Sequence, residues 1–255
     1  MDSTQHRPTL RVLEVLDLLS QSKEGYALSE ISTILQIPKG SLFPIVHTLR
    51  SKHYIRIDEG LGKYMIGIKS YELGNSYMEQ VNVLNEIKQL VIRVVSYCNE
   101  TCHFAVREGK DVIYLLKEES AEPIRMVSSI GKRLSAHSTA IGKALLSGCE
   151  EYEIKEFYYD GLPKVTPRTI VDIDELCRQV ELVKKEKLAY ETEESSLNVT
   201  CIAVPIEKDG KVVAAMSVSI PIFRSDEEKM DKIKVILLQT KELTEKLLAK
   251  VPFRI

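Results

Sequence analysis

The sequence predicts an α+β protein built of two folded parts joined by a helix, and three observations carry that expectation. Three short amphipathic helical patterns, then an alternating hairpin, occupy residues 1–70. An apolar stripe of near-heptad spacing runs through residues 71–97. Strand pairs around tight turns, with helices between them, fill residues 98–255. Strands segregated from helices in this way pair into an antiparallel sheet that the helices cover.

The first helix follows from Val12, Val15, Leu16 and Leu19, which recur at i, i+3, i+4 and i+7 and mark one buried face, with Thr9 as its cap. "ALSEISTILQI" gives a second, shorter helix with Leu28, Ile31 and Leu35 inward and Glu30 near its positive end. Leu42, Ile45, Val46 and Leu49 repeat the spacing in a third. "YIRIDEGLGKYMIG" then alternates on either side of a Gly60/Gly62 tip, which reads as a β-hairpin. Three helices followed by a hairpin, with the tight "QIPKG" link between helices two and three, is the order of a winged helix-turn-helix.

In the middle segment, Leu73, Tyr77, Val81, Leu84, Ile87, Val91, Val94 and Cys98 form the stripe. Two uses fit it: a helix packed on its own domain, or a linker that pairs two subunits. In the last segment, "CHFAVREGKDVIYLLKEE" and "TCIAVPIEKDGKVVAAMSVSIP" are hairpins turning at residues 108–111 and 208–210. Helices are expected at about 137–147 and 174–187. A final one starts at Ser225, where Ser225 and Glu228 have capping-box spacing.

Composition narrows the function classes. With 35 basic and 37 acidic residues among 255, any affinity for nucleic acid has to come from a local patch. The apolar stretches "QLVIRVVSYC" and "VVAAMSVSIPIF" are interrupted by Arg93 or by proline, short of the roughly 20 residues a membrane span needs. "MDSTQHRPTL" lacks the layout of a signal peptide, so a soluble, cytoplasmic protein with no membrane partner is expected. The five cysteines have irregular spacing and no C-x-x-C pair, which points to buried reduced thiols and to no metal or other cofactor.

The local patch lies on the third helix and the hairpin. With its apolar face inward, Lys39, Ser41, Phe43, His47 and Arg50 lie on or near the outer face, Gly40 supplies a flexible entry and is counted with the DNA-binding residues, and the N-terminal residues of such a helix read base edges in a major groove. Lys39, Arg50, Lys52, Arg56, Lys63 and Lys69 face only Asp58 and Glu59 between residues 39 and 69, a surplus suited to phosphates. Pro44 sits within this helix. If Ser41 is the N-cap, Pro44 falls at the third helical position, where its missing amide hydrogen has no intrahelical use. That arrangement is the expected one.

"IGKRLSAHSTAIGKALLS" places a glycine-containing loop before a helix starting near His137, with Ser138 and Thr139 in its first turn. Free amides at such a start favour an anion. Here the chain resembles the IclR family of bacterial transcriptional regulators along nearly its whole length. The resemblance rests on three blocks in order: His137-Ser138-Thr139-Ala140-Ile141-Gly142-Lys143-Ala144-Leu145-Leu146; then Glu191-Thr192-Glu193-Glu194 with Cys201-Ile202-Ala203-Val204-Pro205; then Ser217-Val218-Ser219.

The resemblance implies a GAF-like effector domain over residues 98–255, a linker or dimerisation helix over 71–97 and a DNA-binding domain over 1–70. It also implies a dimer or tetramer on a double-stranded operator, more often a repressor than an activator, and control by a small organic, sugar or aromatic acid. Carried onto this chain, the pocket uses the Ala140 and Ile141 amides, with Glu191, Cys201, Ser217 and Ser219, and with His137 and Thr139 at the helix start. Ser217 and Ser219 are two apart on one strand and share a face. Pro44 stands where the family often has an arginine and Gly40 where a serine is usual. Glu191 replaces a frequent aspartate, and Lys187 and Asn198 replace glycines. No catalytic activity is expected. Two other functions remain open on the residues alone: a sensor without DNA binding, and an enzyme with Cys201 as nucleophile and His137 or Glu191 as base.

Overall fold

The computed structural model describes residues 6–80, 83–126, 128–131 and 133–250, with only the backbone at 77–80. Two compact units, residues 1–81 and 82–255, divide the chain. The segment expected to stand apart at 71–97 is therefore shared between them.

In the first unit, α1 (Arg7–Ser20), α2 (Leu28–Ile34) and α3 (Lys39–Ser51) surround a core of Val15, Leu19, Ile31, Leu42, Val46 and Ile55. β1 (Tyr26–Ala27) pairs with β3 (Lys63–Ile66), which pairs in turn with β2 (Ile55–Asp58) to make the wing. The hairpin tip is fastened by Asp58, whose Oδ1 accepts from the amides of Gly60 and Leu61. α4 (Ile68–Gln80) follows; Leu73 is exposed on it.

Two helix starts differ from the sequence reading. α1 begins at Arg7 with His6 before it, and Thr9 lies in the first turn, its hydroxyl 2.9 Å from His6 Nδ1. Pro8 explains the shift, because a proline is pre-set for the first turn and needs no amide partner there. α3 begins at Lys39 with Pro38 before it, and the amides of Ser41 and Leu42 both donate to the Pro38 carbonyl. Ser41 is thus inside the helix and is not its cap, and Pro44 is the sixth helical residue. The helix survives because Pro44 and Gly40 are both exposed. Water can reach the Gly40 carbonyl that has lost its partner.

In the second unit a six-stranded antiparallel sheet has the order β6-β5-β4-β9-β8-β7. Its strands are β4 (Thr101–Glu108), β5 (Asp111–Glu118), β6 (Arg133–Ser135), β7 (Ala189–Thr192), β8 (Val199–Lys208) and β9 (Lys211–Pro221). Both predicted hairpins are present, with left-handed backbone at Gly109, Asp209 and Gly210. α5 (Val83–Cys98) packs on α9 (Glu227–Leu248) and on β4 and β5, which buries Leu84, Ile87, Val91, Val94 and Cys98. This half of the predicted stripe is spent on its own domain; Val81 lies outside the described residues. The other face of the sheet carries α6 (Ala140–Leu146), with α7 (Glu151–Phe157) and α8 (Ile173–Glu186) beyond it.

α7 was not anticipated from the sequence. α9 is capped by Asp226, whose Oδ1 accepts from the Lys229 amide, while the Ser225 hydroxyl donates to Ile222. Ser225 is therefore one residue too early to be the cap. Lys187 ends α8 in the left-handed region and Asn198 occupies the same region before β8, a backbone conformation that favours glycine.

Candidate functional site

The register of the sheet assembles one polar row. Glu191 on β7 faces Cys201 on β8, Cys201 faces Ser219 on β9, and Ser219 faces Thr101 on β4. The next row runs Ala189, Ala203, Ser217, His103 and Lys117. Residues directly opposite in an antiparallel sheet share a face. α6 packs against β7, β8 and β9, and Ala140 and Ile141 lie in one apolar cluster with Cys201, Ala203 and Ala215. The alanines at 203 and 215 leave this face low enough for α6 to approach.

The start of α6 is tight. Thr139 is its N-cap, and its Oγ1 accepts from the Gly142 amide at 3.1 Å. Ala140 and Ile141 are the first two helical residues, whose amides have no intrahelical acceptor. His137 and Ser138 belong to a separate 3-10 turn, residues Ala136–Ser138, and so precede the helix. A side chain on Gly142 would overlap the Ala136 carbonyl, so the turn and the helix touch only because this residue is glycine.

Within the row, Cys201 Sγ lies 3.3 Å from Ser219 Oγ. The Glu191 carboxylate accepts from the Glu194 amide at 2.9 Å and from Ser195 Oγ at 3.1 Å. Burial raises the Glu191 carboxyl above its ordinary range, and those hydrogen bonds partly oppose the rise. Burial, with Glu191 beside it, pushes the Cys201 thiol well up, which keeps it protonated at neutral pH and unsuited to nucleophilic attack.

His137 stands apart from these groups. Its Nε2 is 2.9 Å from the Pro163 carbonyl and its Nδ1 is 2.9 Å from Ser135 Oγ, while the ring meets Tyr158 edge-on. Both nitrogens tie the 3-10 turn to neighbouring chain, so His137 holds structure there and neither ring nitrogen is left to serve as a base.

Three groups near this face were not singled out from the sequence as ligand residues. Lys143 is 1% exposed, and its Nζ bonds Glu194 Oε1 at 2.6 Å, Gln179 Oε1 at 2.8 Å and the Tyr190 carbonyl at 3.3 Å. Glu194 in turn presents its amide to Glu191, so Lys143 fixes the chain that orients that carboxylate. Tyr114 stacks on His103 with ring centroids 4.4 Å apart. A cleft of about 460 Å³ opens beside Lys143, Gln179, Tyr190, Glu191 and Glu194. It touches the row only at Glu191. The lysine and the second glutamate stand inside the motifs quoted above, but only folding brings them together across 51 residues.

In the first unit, Lys39, Gly40, Phe43, His47 and Arg50 are exposed, and Ser41 and Lys63 are half-buried. The Phe43 and His47 rings stack with centroids 6.3 Å apart and planes tilted by 29°, side by side on the outer face of the helix. Arg50 has a loose contact with Glu59 at 3.9 Å, and Lys69 is paired with Glu72 at 2.7 Å. Lys69 therefore contributes less free charge than its place in the sequence suggested.

A winged helix-turn-helix in one chain with such a sheet unit is the arrangement of a transcriptional regulator. Family models agree in both units: the IclR helix-turn-helix domain matches residues 8–59, and the bacterial transcriptional regulator IclR C-terminal domain matches residues 75–243. The chain belongs to the IclR family of bacterial transcriptional regulators. It is 29% identical over 221 residues to the regulator KdgR of Dickeya chrysanthemi, covering 86% of this chain and 72% of that protein. It is 30% identical over 221 residues to the repressor AllR of Salmonella typhimurium, covering 86% and 81%. Its fold matches an IclR homologue from Microbacterium hydrocarbonoxydans complexed with 4-hydroxybenzoate, with TM-score 0.82, 22% identity and coverage of 96% and 100%.

Proposed function

We propose that this regulator is a repressor that binds an operator as a homo-oligomer, dimer or tetramer, and responds to a small organic, sugar or aromatic acid. The observation that carries the effector half is the polar row: Glu191, Cys201, Ser219 and, one row on, Ser217 share the sheet face on which the first turn of α6 rests. Two serine hydroxyls and the Ala140 and Ile141 amides supply donors for a carboxylate, and Glu191 accepts from a ligand hydroxyl. Thr139 keeps the first turn in place. His137 acts at one remove, through the turn it braces.

The DNA-reading residues in this proposal are Lys39, Gly40, Ser41, Phe43, His47 and Arg50, with Lys63 on the wing. The exposed, stacked Phe43 and His47 favour this reading over a sensor without DNA binding. In this proposal the repressor controls metabolic genes, in the cytoplasm; AllR, to which the chain is 30% identical, is itself a repressor.

The test is a mobility-shift assay on DNA flanking the gene, with and without a panel of small carboxylates. Expected are a shift at low salt, its release by one of the acids, and loss of that release in Ser217→Ala and Ser219→Ala with DNA binding intact. An unaltered acid response in both variants would move the effector site elsewhere.

A further inference from the structure

The cleft of about 460 Å³ beside α8 meets the polar row only at Glu191, and its charges do not balance. Glu186, Glu191 and Glu194 stand in its wall with Lys143. Arg168 and Arg178 line it too, but each is held at 2.7 Å by a carboxylate outside the wall, Glu193 and Glu175 respectively. Lys143 is spent on Glu194, Glu191 accepts from an amide and a hydroxyl, and Glu186 has no ion pair among the described residues. The cleft therefore carries an excess of negative charge, which repels an acid and attracts a cation.

One acceptor in the wall is also uncommitted. Glu194 is 7% exposed; its Oε1 takes the Lys143 ammonium, while its Oε2 has no partner among the described residues. A carboxylate oxygen left bare at that depth is a cost that a bound donor removes. The rest of the wall is apolar, made by Ile170, Leu182, Val183 and Leu188. A volume of this size lies in the range of small-molecule sites, roughly 300–1,000 Å³.

We propose that this cleft is a second ligand site, separate from the polar row, and that it takes a primary ammonium ion on a short apolar chain. The ammonium bonds Glu194 Oε2 and the chain lies on the leucine side of the cleft. A free amine and an amino acid both carry that chemistry. The site does not depend on the acid-effector reading, because none of the serines lines it. It does adjoin that row, since the Glu194 amide donates to Glu191.

The test is calorimetry on the full chain with 3-methylbutylamine, L-leucine and 3-methyl-1-butanol, the last having the same chain without the charge. At least one ammonium compound is expected to bind, with the alcohol weaker by tenfold or more, the worth of one charge-assisted hydrogen bond. Binding of the amine alone identifies a free amine as the ligand class, and binding of leucine an amino acid. Glu194→Gln is expected to weaken binding at least tenfold. Should that variant fail to fold, Leu182→Arg decides, because it sets a cation in the cleft at an exposed position of α8 and is expected to abolish binding. Alcohol binding as tight as the amine, or no binding by either ammonium compound, overturns the proposal. So does an affinity that survives Leu182→Arg. Binding lost in Ser217→Ala and Ser219→Ala would place the ammonium in the polar row and overturn the proposal as well; retained binding there keeps the two sites distinct, whatever becomes of the acid response.

Discussion

At the scale of single residues, the buried Lys143–Glu194 pair dominates. Both groups are almost fully covered, and Glu194 Oε2 has no partner among the described residues, so the pair depends on its remaining bonds. Breaking one side of such a pair leaves a charge stranded in low dielectric and costs about 3–5 kcal/mol. Lys143→Met is expected to destabilise the second unit by that order in urea titrations, and Glu194→Gln in the same chain to recover much of the loss. A double-mutant cycle showing no coupling would contradict this account. Lysine and glutamate were both readable in the motifs. Their pairing was not, because nothing in local spacing links α6 to the loop after β7.

Among elements, α3 shows how caps escape a reading of local sequence. Ser41, Thr9 and Ser225 all have capping chemistry, yet the residues that precede the helices are Pro38, His6 and Asp226. Which residue is left extended depends on how the preceding chain packs, and a cap one position away can take the role. Hairpins are more legible, since Gly109 and Asp209-Gly210 supply left-handed backbone at the turn itself. Pro44 in the exposed middle of α3 leaves one backbone bond unmade. Pro44→Ala is expected to restore it and stabilise the first unit by up to about 3 kcal/mol. Amide exchange at Val46 and Leu49 in the full chain would slow accordingly; unchanged exchange would mean the proline costs nothing here.

On the scale of the whole molecule, net charge is near zero, so DNA binding has to rely on the few exposed cations of α3 and the wing. Each phosphate contact adds about one unit to the slope of log affinity against log salt. Lys63→Ala and Arg50→Ala are each expected to lower that slope by about one and to weaken binding evenly across DNA sequences. Phe43→Ala is expected to change which sequence is preferred with the slope kept. Fluorescence anisotropy at several salt concentrations separates the two behaviours.

The sequence by itself determined the class: α+β, a winged helix-turn-helix, two hairpins of the sheet, and the family that the motif blocks pointed to. Those features depend on periodicity, turn residues and short runs of neighbours, all of which are local. Tertiary structure alone decided that the 71–97 stripe is divided between two units, and that Glu191, Cys201, Ser219 and Thr101 form one row with Ser217 and His103 beside it. It also turned His137 toward Pro163 and left His103 Nδ1 without a hydrogen-bond partner among the described residues. The reason is strand register: it joins residues more than a hundred positions apart, and each strand's alternating pattern says which face is buried but not which distant strand lies beside it.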